Sequence, residues 1–197
     1  LLFTGYSGPG VYLGDGAGTW TESSSNLPAT GTFAGVAVAD KDGDGQLDIF
    51  AASAAGAGIK VYLNDLPRWA ATTVVPTTTG SYGELAVGYI DRDGYLDLVA
   101  ANTGSTSGIY AWRGNYDGSW TTSSTGLPTT GGYRGVAVGD INNDGKSDIV
   151  ASGYAANSGI QAFLGDGYGS WSVTDPITST GSFGQLALGD LNNDGRL

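Results

Sequence analysis

Gly31-Thr-Phe-Ala-Gly-Val-Ala-Val-Ala-Asp40-Lys-Asp-Gly-Asp-Gly-Gln-Leu-Asp48 joins a short apolar run to a loop in which acids alternate with other residues, and Ile49-Phe-Ala-Ala52 then resumes an apolar run. Apolar stretches this short, bounded by Gly, Asp and Asn, read as strands, and nowhere does the chain carry a 3.6-residue stripe of helical length. The same phrase is written three more times, as Gly80-Ser-Tyr-Gly-Glu-Leu-Ala-Val, Gly131-Gly-Tyr-Arg-Gly-Val-Ala-Val and Gly181-Ser-Phe-Gly-Gln-Leu-Ala-Leu. The loop glycines that follow, Gly45, Gly94, Gly145 and Gly195, are spaced by 49, 51 and 50 residues. Trp20, Trp69, Trp120 and Trp171 recur at 49, 51 and 51, each closing a turn such as Leu164-Gly-Asp-Gly-Tyr-Gly-Ser-Trp171.

One unit predicts four strands: Gly35–Ala39, Asp48–Ala52, Ile59–Leu63 and a strand opening at Trp69. Repetition of four antiparallel strands every fifty or so residues is the period of a propeller blade. The expectation is therefore an all-β chain, a β-propeller of four-stranded antiparallel blades with about four repeats over residues 1–197 and Asp/Asn-rich loops at 40–48, 89–97, 140–148 and 190–197. Leu1-Leu-Phe-Thr-Gly-Tyr6 aligns with Ile149-Val-Ala-Ser-Gly-Tyr154, and Leu197 falls one residue short of the position of Asp148. The chain reads either as a window out of a longer propeller or as a ring whose first and last strands share one blade. The first reading is preferred, because a cut inside a ligand loop would waste a site. The start, Leu1-Leu2-Phe3, reads as a mature product or an excised piece.

Composition narrows the chemistry. Among 197 residues there is no His, Cys or Met, which removes imidazole bases, thiolate nucleophiles, His/Cys metal sites and disulfides. With 8 basic and 19 acidic side chains the formal charge is −11, so binding to a nucleic-acid backbone is not expected. No apolar run approaches the ~20 residues that span a bilayer, so membrane insertion is not expected either. Charged residues make up only 14%, with polarity supplied by Ser, Thr, Asn and Gly, a style expected of an extracellular, secreted or cell-surface protein.

Asp40, Asp42, Asp44 and Asp48 occupy positions 1, 3, 5 and 9 of their loop, with Gly45 at 6 and the Gln46 carbonyl at 7. Calcium takes six to eight hard oxygen ligands, and a loop can aim alternate side chains at it only with a sharp turn at Gly. That pattern is the first half of an EF-hand loop, here followed by a strand. The third loop keeps it with Asp140, Asn142, Asp144, the Lys146 carbonyl and Asp148. The second offers Asp91, Asp93, the Tyr95 carbonyl and Asp97 but has Tyr89 at the first position, so weaker or water-completed binding is expected there. The fourth supplies Asp190, Asn192, Asp194 and the Arg196 carbonyl, its closing position lying beyond the chain. Asx turns alone explain one such loop. They do not explain twelve of nineteen acids gathered in four loops, where like charges repel unless a cation is present. Four Ca²⁺ would bring −11 to about −3.

Together the Phe/Tyr-x-Gly-Val-Ala-Val strand, the Asp-x-Asp/Asn-x-Asp-Gly-x-x-Asp loop and the Gly-Asp-Gly-x-Gly-Ser/Thr-Trp turn resemble the FG-GAP/VCBS repeats of integrin alpha-subunit propellers and many secreted microbial proteins. The resemblance covers the whole chain. It implies a calcium-bearing propeller, usually seven-bladed, used outside the cell in adhesion or carbohydrate binding or as a companion module to an enzyme. Departures are Tyr89, Trp where the turn commonly has Phe, and a repeat number below the usual ring.

The recurring tryptophans are expected to pack between adjacent blades, as are Tyr12, Tyr62, Trp112 and Phe163 of the third strand. Tyr6, Tyr116, Tyr154 and Tyr168 stand in loops and do not recur in every unit, which makes them candidate sugar contacts. Acids that coordinate calcium cannot serve as proton donors, and no catalytic constellation is present in the sequence. The expected function is a non-catalytic, calcium-binding module that takes a glycan or an extracellular protein. The alternatives are a module of a secreted polysaccharide-degrading enzyme and a self-associating subunit of a surface fibre.

Overall fold

The computed structural model describes residues 2–3, 5, 7–65, 67–104, 108–154 and 159–197, with Phe3 described by its backbone alone. Strands β1 (Leu2–Phe3), β2 (Gly10–Gly14) and β3 (Trp20–Glu22) form a three-stranded sheet. Three four-stranded sheets follow: β4 (Phe33–Ala39), β5 (Asp48–Ser53), β6 (Ile59–Asp65) and β7 (Arg68–Thr72); β8 (Tyr82–Gly88), β9 (Asp97–Asn102), β10 (Ile109–Gly114) and β11 (Trp120–Thr122); and β12 (Tyr133–Gly139), β13 (Asp148–Gly153), β14 (Ile160–Gly165) and β15 (Trp171–Val173). Each is an antiparallel meander in chain order, and no helix is present among the described residues. These are the predicted blades. They do not close into a ring: β1 pairs with β2 alone, and residues 183–189 make no ladder.

The second strand of each four-stranded sheet, β5, β9 and β13, is buried at every position. Neighbouring sheets cover both faces of β5 and β9 and one face of β13, which is why these strands read as apolar runs rather than alternations. The core accordingly lies between sheets, in three clusters. One holds Ile49, Tyr62 and Trp69 with Val11 and Leu27; another holds Phe50 and Val61 with Tyr82, Leu98 and Trp112; the last holds Val99 and Ile109 with Ile149, Phe163 and Trp171.

The glycines of the repeated phrase have a steric cause. A Cβ on Gly35 would stand 2.5 Å from the Gly83 carbonyl oxygen, and one on Gly135 would stand 2.4 Å from that of Gly184. At Gly35 and Gly135 the next phrase approaches backbone to backbone, and a Cβ at either position would meet it. Each begins with a register shift, between Phe33 and Gly35, Tyr82 and Leu85, and Tyr133 and Gly135. In the second phrase Glu84 replaces glycine. Its Oε2 accepts from the N–H of Val136 at 3.2 Å and of Leu186 at 3.3 Å, while burial pushes its pKa up.

Two expectations need correction. The fourth phrase, 181–188, was expected to open with a strand, yet it forms none. In the other repeats the ladder partner is the strand after the acidic loop, and without one the apolar run stays extended and largely exposed. The four tryptophans also differ. Trp69 and Trp171 are buried against the preceding sheet and Trp120 is half-buried, but Trp20 is 54% exposed. The three-stranded sheet has no earlier sheet for Trp20 to pack on among the described residues.

Candidate metal centre

Since first and second strands run antiparallel, the loops between them emerge at one edge of every sheet, and the hairpins between third and fourth strands emerge at the same edge. Gly45, Gly94, Gly145 and Gly195 take φ values of 86°, 88°, 78° and 85° at loop position 6. Position 4 is also left-handed, at Gly43, Arg92, Asn143 and Asn193 (φ 79°, 63°, 58° and 58°). Glycine and asparagine adopt that conformation readily; Arg92 does so at a cost.

In the first loop the carboxylate oxygens of Asp40, Asp42 and Asp48 lie within 4.8 Å of one another, a group that could hold a metal ion. Asp44 is not one of the three: its Oδ1 accepts from the Gln46 N–H at 2.7 Å and its Oδ2 from the Gln46 amide at 3.0 Å. Asp40 receives the N–H groups of Gly43 at 2.7 Å and Gly45 at 2.9 Å. The third loop is built alike, with Asp140 accepting from Asp144 at 3.1 Å and Gly145 at 2.8 Å. There the Lys146 side chain does more than the carbonyl role expected of its residue, because its ammonium pairs with Asp144 at 2.9 Å. The fourth repeats the clamp through Asp190, which accepts from Gly195 at 2.7 Å, and Asp194 accepts from the Asn192 amide and the Arg196 N–H.

The closing acids hold a second post. Asp48 Oδ2 accepts from Lys41 at 2.7 Å and Oδ1 from Asn64 at 2.8 Å, fixing the loop to the third strand. Asp97 does so with Ile90 at 2.6 Å and Gly114 at 2.9 Å, and Asp148 with Ile141 at 3.1 Å and Gly165 at 2.9 Å. All three are buried. Burial raises their pKa values against the lowering effect of those N–H groups, that of Asp97 to about 6.

The second loop differs from the others. Asp91, Asp93 and Asp97 also lie within 4.8 Å of one another, but Tyr89 provides no clamp. Asp91 Oδ2 is paired at 3.2 Å with Arg113 Nη1 from β10. Arg92 reaches out of its own sheet to donate to the Gly145 carbonyl, and Ser147 Oγ donates to the Tyr89 carbonyl at 2.8 Å. Sequence reasoning missed Arg113, Arg92 and Ser147.

Between the first and second loops lies a cleft of about 460 Å³, lined by Asp40, Asp42, Tyr89, Tyr95, Tyr116 and Asp117 among others. Tyr95 and Tyr116 meet edge to face with centroids 6.0 Å apart. Lys41 crosses between the sheets, its ammonium 4.8 Å from the Trp120 ring centroid. Of the other candidate sugar contacts, Tyr168 is exposed on the hairpin of the last sheet, and Tyr154 lies at the opposite edge beside Gly132 and Ser182. They do not form one site with Tyr116, and Tyr6 lies outside the described residues.

Meander sheets of one repeated unit, standing side by side through glycine-rich first strands and carrying an acidic loop at one edge, define a propeller-type repeat protein. A family model described as an FG-GAP-like repeat matches residues 1–51, 42–100 and 89–151, and the chain belongs to this family. No curated protein matches it.

Proposed function

We propose that the chain is a non-catalytic extracellular module whose first and third acidic loops hold Ca²⁺ and whose loop edge binds a neutral glycan. The oxygen-only donor set supports calcium over softer metals, with Asp40, Asp42, Asp44, Asp48 and the Gln46 carbonyl holding the ion in the first loop and Asp140, Asn142, Asp144, Asp148 and the Lys146 carbonyl in the third. Bound there, the ion would neutralise the clustered carboxylates and tie the loop to its strands. The observation that carries the glycan reading is the cleft, where Tyr116 is 86% exposed beside Tyr89 and Tyr95, with carboxylates of Asp40, Asp42 and Asp117 at the rim. Sugar C–H faces stack on aromatic rings, and the carboxylate of Asp117, which lies outside the metal loops, accepts from hydroxyls while repelling anionic sugars.

Calorimetry on the chelator-stripped chain should show saturable Ca²⁺ heat, and a glycan array should show binding lost in Tyr116→Ala. An absence of calcium heat would overturn the metal reading, and array signal unchanged in Tyr116→Ala would overturn the cleft.

A further inference from the structure

The second loop carries two replacements at once. Where its sister loops have Asp40, Asp140 and Asp190 it has Tyr89, and where β6 and β14 have Leu63 and Leu164, β10 has Arg113. One acid is lost and one fixed cation gained within a single blade. In the structure the two changes meet: Arg113 Nη1 pairs with Asp91, whose side chain is only 7% exposed.

We propose that the second loop has exchanged its metal ion for the guanidinium of Arg113 and binds no Ca²⁺. This rests on the calcium reading of the sister loops. A dication beside Asp91 would meet a fixed positive charge in the same space, and it would find Tyr89 instead of a carboxylate at the first ligand position. Arg113 Nε is buried without a partner, so the guanidinium is held by charge rather than by a full set of hydrogen bonds. Contacts across blades accompany the exchange. Arg92 donates to Gly145, and Ser147 donates to the Tyr89 carbonyl, so the second loop is latched onto the third. It also sorts the walls of the cleft. Tyr89 and Tyr95 stand on a wall locked by arginine, while Asp40, Lys41 and Asp42 stand on a wall governed by calcium.

Native mass spectrometry in saturating Ca²⁺ counts the ions on the parent chain, on Asp91→Asn/Asp93→Asn and on Tyr89→Asp/Arg113→Leu. The last pair restores the residue types of the sister loops. Expected are an unchanged count for the first variant and one additional ion for the second. Loss of an ion in Asp91→Asn/Asp93→Asn would overturn the proposal, as would no gain in Tyr89→Asp/Arg113→Leu. Melting in chelator supplies a readout free of calcium: Arg113→Leu alone should lower the melting temperature, because Asp91 is left uncompensated. A parent that takes up no calcium fails the metal reading of the sister loops, whereas the gain in the double variant is decided separately.

Discussion

The indole Nε1 of Trp171 donates to the carbonyl oxygen of Ser123 at 2.9 Å, joining the outer strand of one sheet to the end of the outer strand before it. Trp69 repeats the tie to Ser23 at 2.6 Å. Trp171→Phe should cost about 1 kcal/mol for the hydrogen bond, and Trp171→Ala about 3–5 kcal/mol with the cavity included. Trp20→Ala should stay within about 1 kcal/mol, since its ring is exposed. Urea unfolding followed by tryptophan fluorescence separates the three, and equal losses at positions 20 and 171 would contradict the assignment.

Gly126 lies against the same tryptophan, with φ 89° and the Trp171 carbonyl oxygen 1.9 Å from where a Cβ would stand. Alanine there has to displace backbone, and we expect Gly126→Ala to cost about 2–5 kcal/mol from strain and overpacking combined. Gly43→Ala meets no atom within 4 Å and should cost only the left-handed penalty, about 1–2 kcal/mol. Denaturation midpoints of the two variants test the difference.

The closing acids and the inner loop acids should part company in chelator. Asp148→Ala strips two N–H groups, of Ile141 and Gly165, of their acceptor and should cost about 2–5 kcal/mol even without metal. Asp44→Asn sits in an exposed turn and should leave the metal-free chain within about 0.5 kcal/mol while weakening calcium binding. Melting curves in EDTA and in calcium, recorded for both variants, decide this.

Without metal, stability should fall as pH rises through the weak-acid range. Burial lifts Asp97 from 3.8 to about 6, so the folded chain holds a proton that the unfolded chain releases. The contribution is whole below 3.8 and lost above about 6, up to about 3 kcal/mol at roughly 1.4 kcal/mol per unit. Asp48, Asp148 and Glu84 are raised too and act in the same direction. Asp15, Asp117, Asp166 and Asp190 are lowered by hydrogen bonds to their turns and act oppositely, at pH values below the ordinary carboxylate range. The melting temperature in chelator should therefore drop between pH 4.5 and 7; a rise over that interval would contradict the scheme.

Calcium should reverse that slope, because its ligands bind ionised. At 100 times the dissociation constant each independent site adds about 2.7 kcal/mol. Differential scanning calorimetry at pH 7 with stepped calcium should move the melting temperature upward without saturating abruptly.

Strand positions are legible in the sequence because buried second strands need unbroken apolar runs and first strands need glycine at the backbone approach. Gly35 and Ile49 announce their places. The dual post of Asp48 is not legible, since its partner Asn64 lies sixteen residues on and is brought there by the register of the third strand. Nor is the cleft: Tyr95 and Tyr116 meet because an acidic loop and a hairpin share an edge, which follows from the meander and not from either residue. Arg113 is partly legible. Comparing the repeats with one another shows it replacing Leu63 and Leu164 in the one unit that lost its first acid, although only the fold shows that the two positions touch.

The Glu84 carboxylate adds a matter of timing. Its two donors, Val136 and Leu186, are made 52 and 102 residues after it. At a synthesis rate of roughly 5–20 residues per second, the later donor leaves the ribosome some 5–20 s behind the acid. Until then the carboxylate has at most the Val136 donor, and its pair is complete only when the fourth phrase arrives. One carboxylate thus ties the second, third and fourth phrases together across 102 residues of chain.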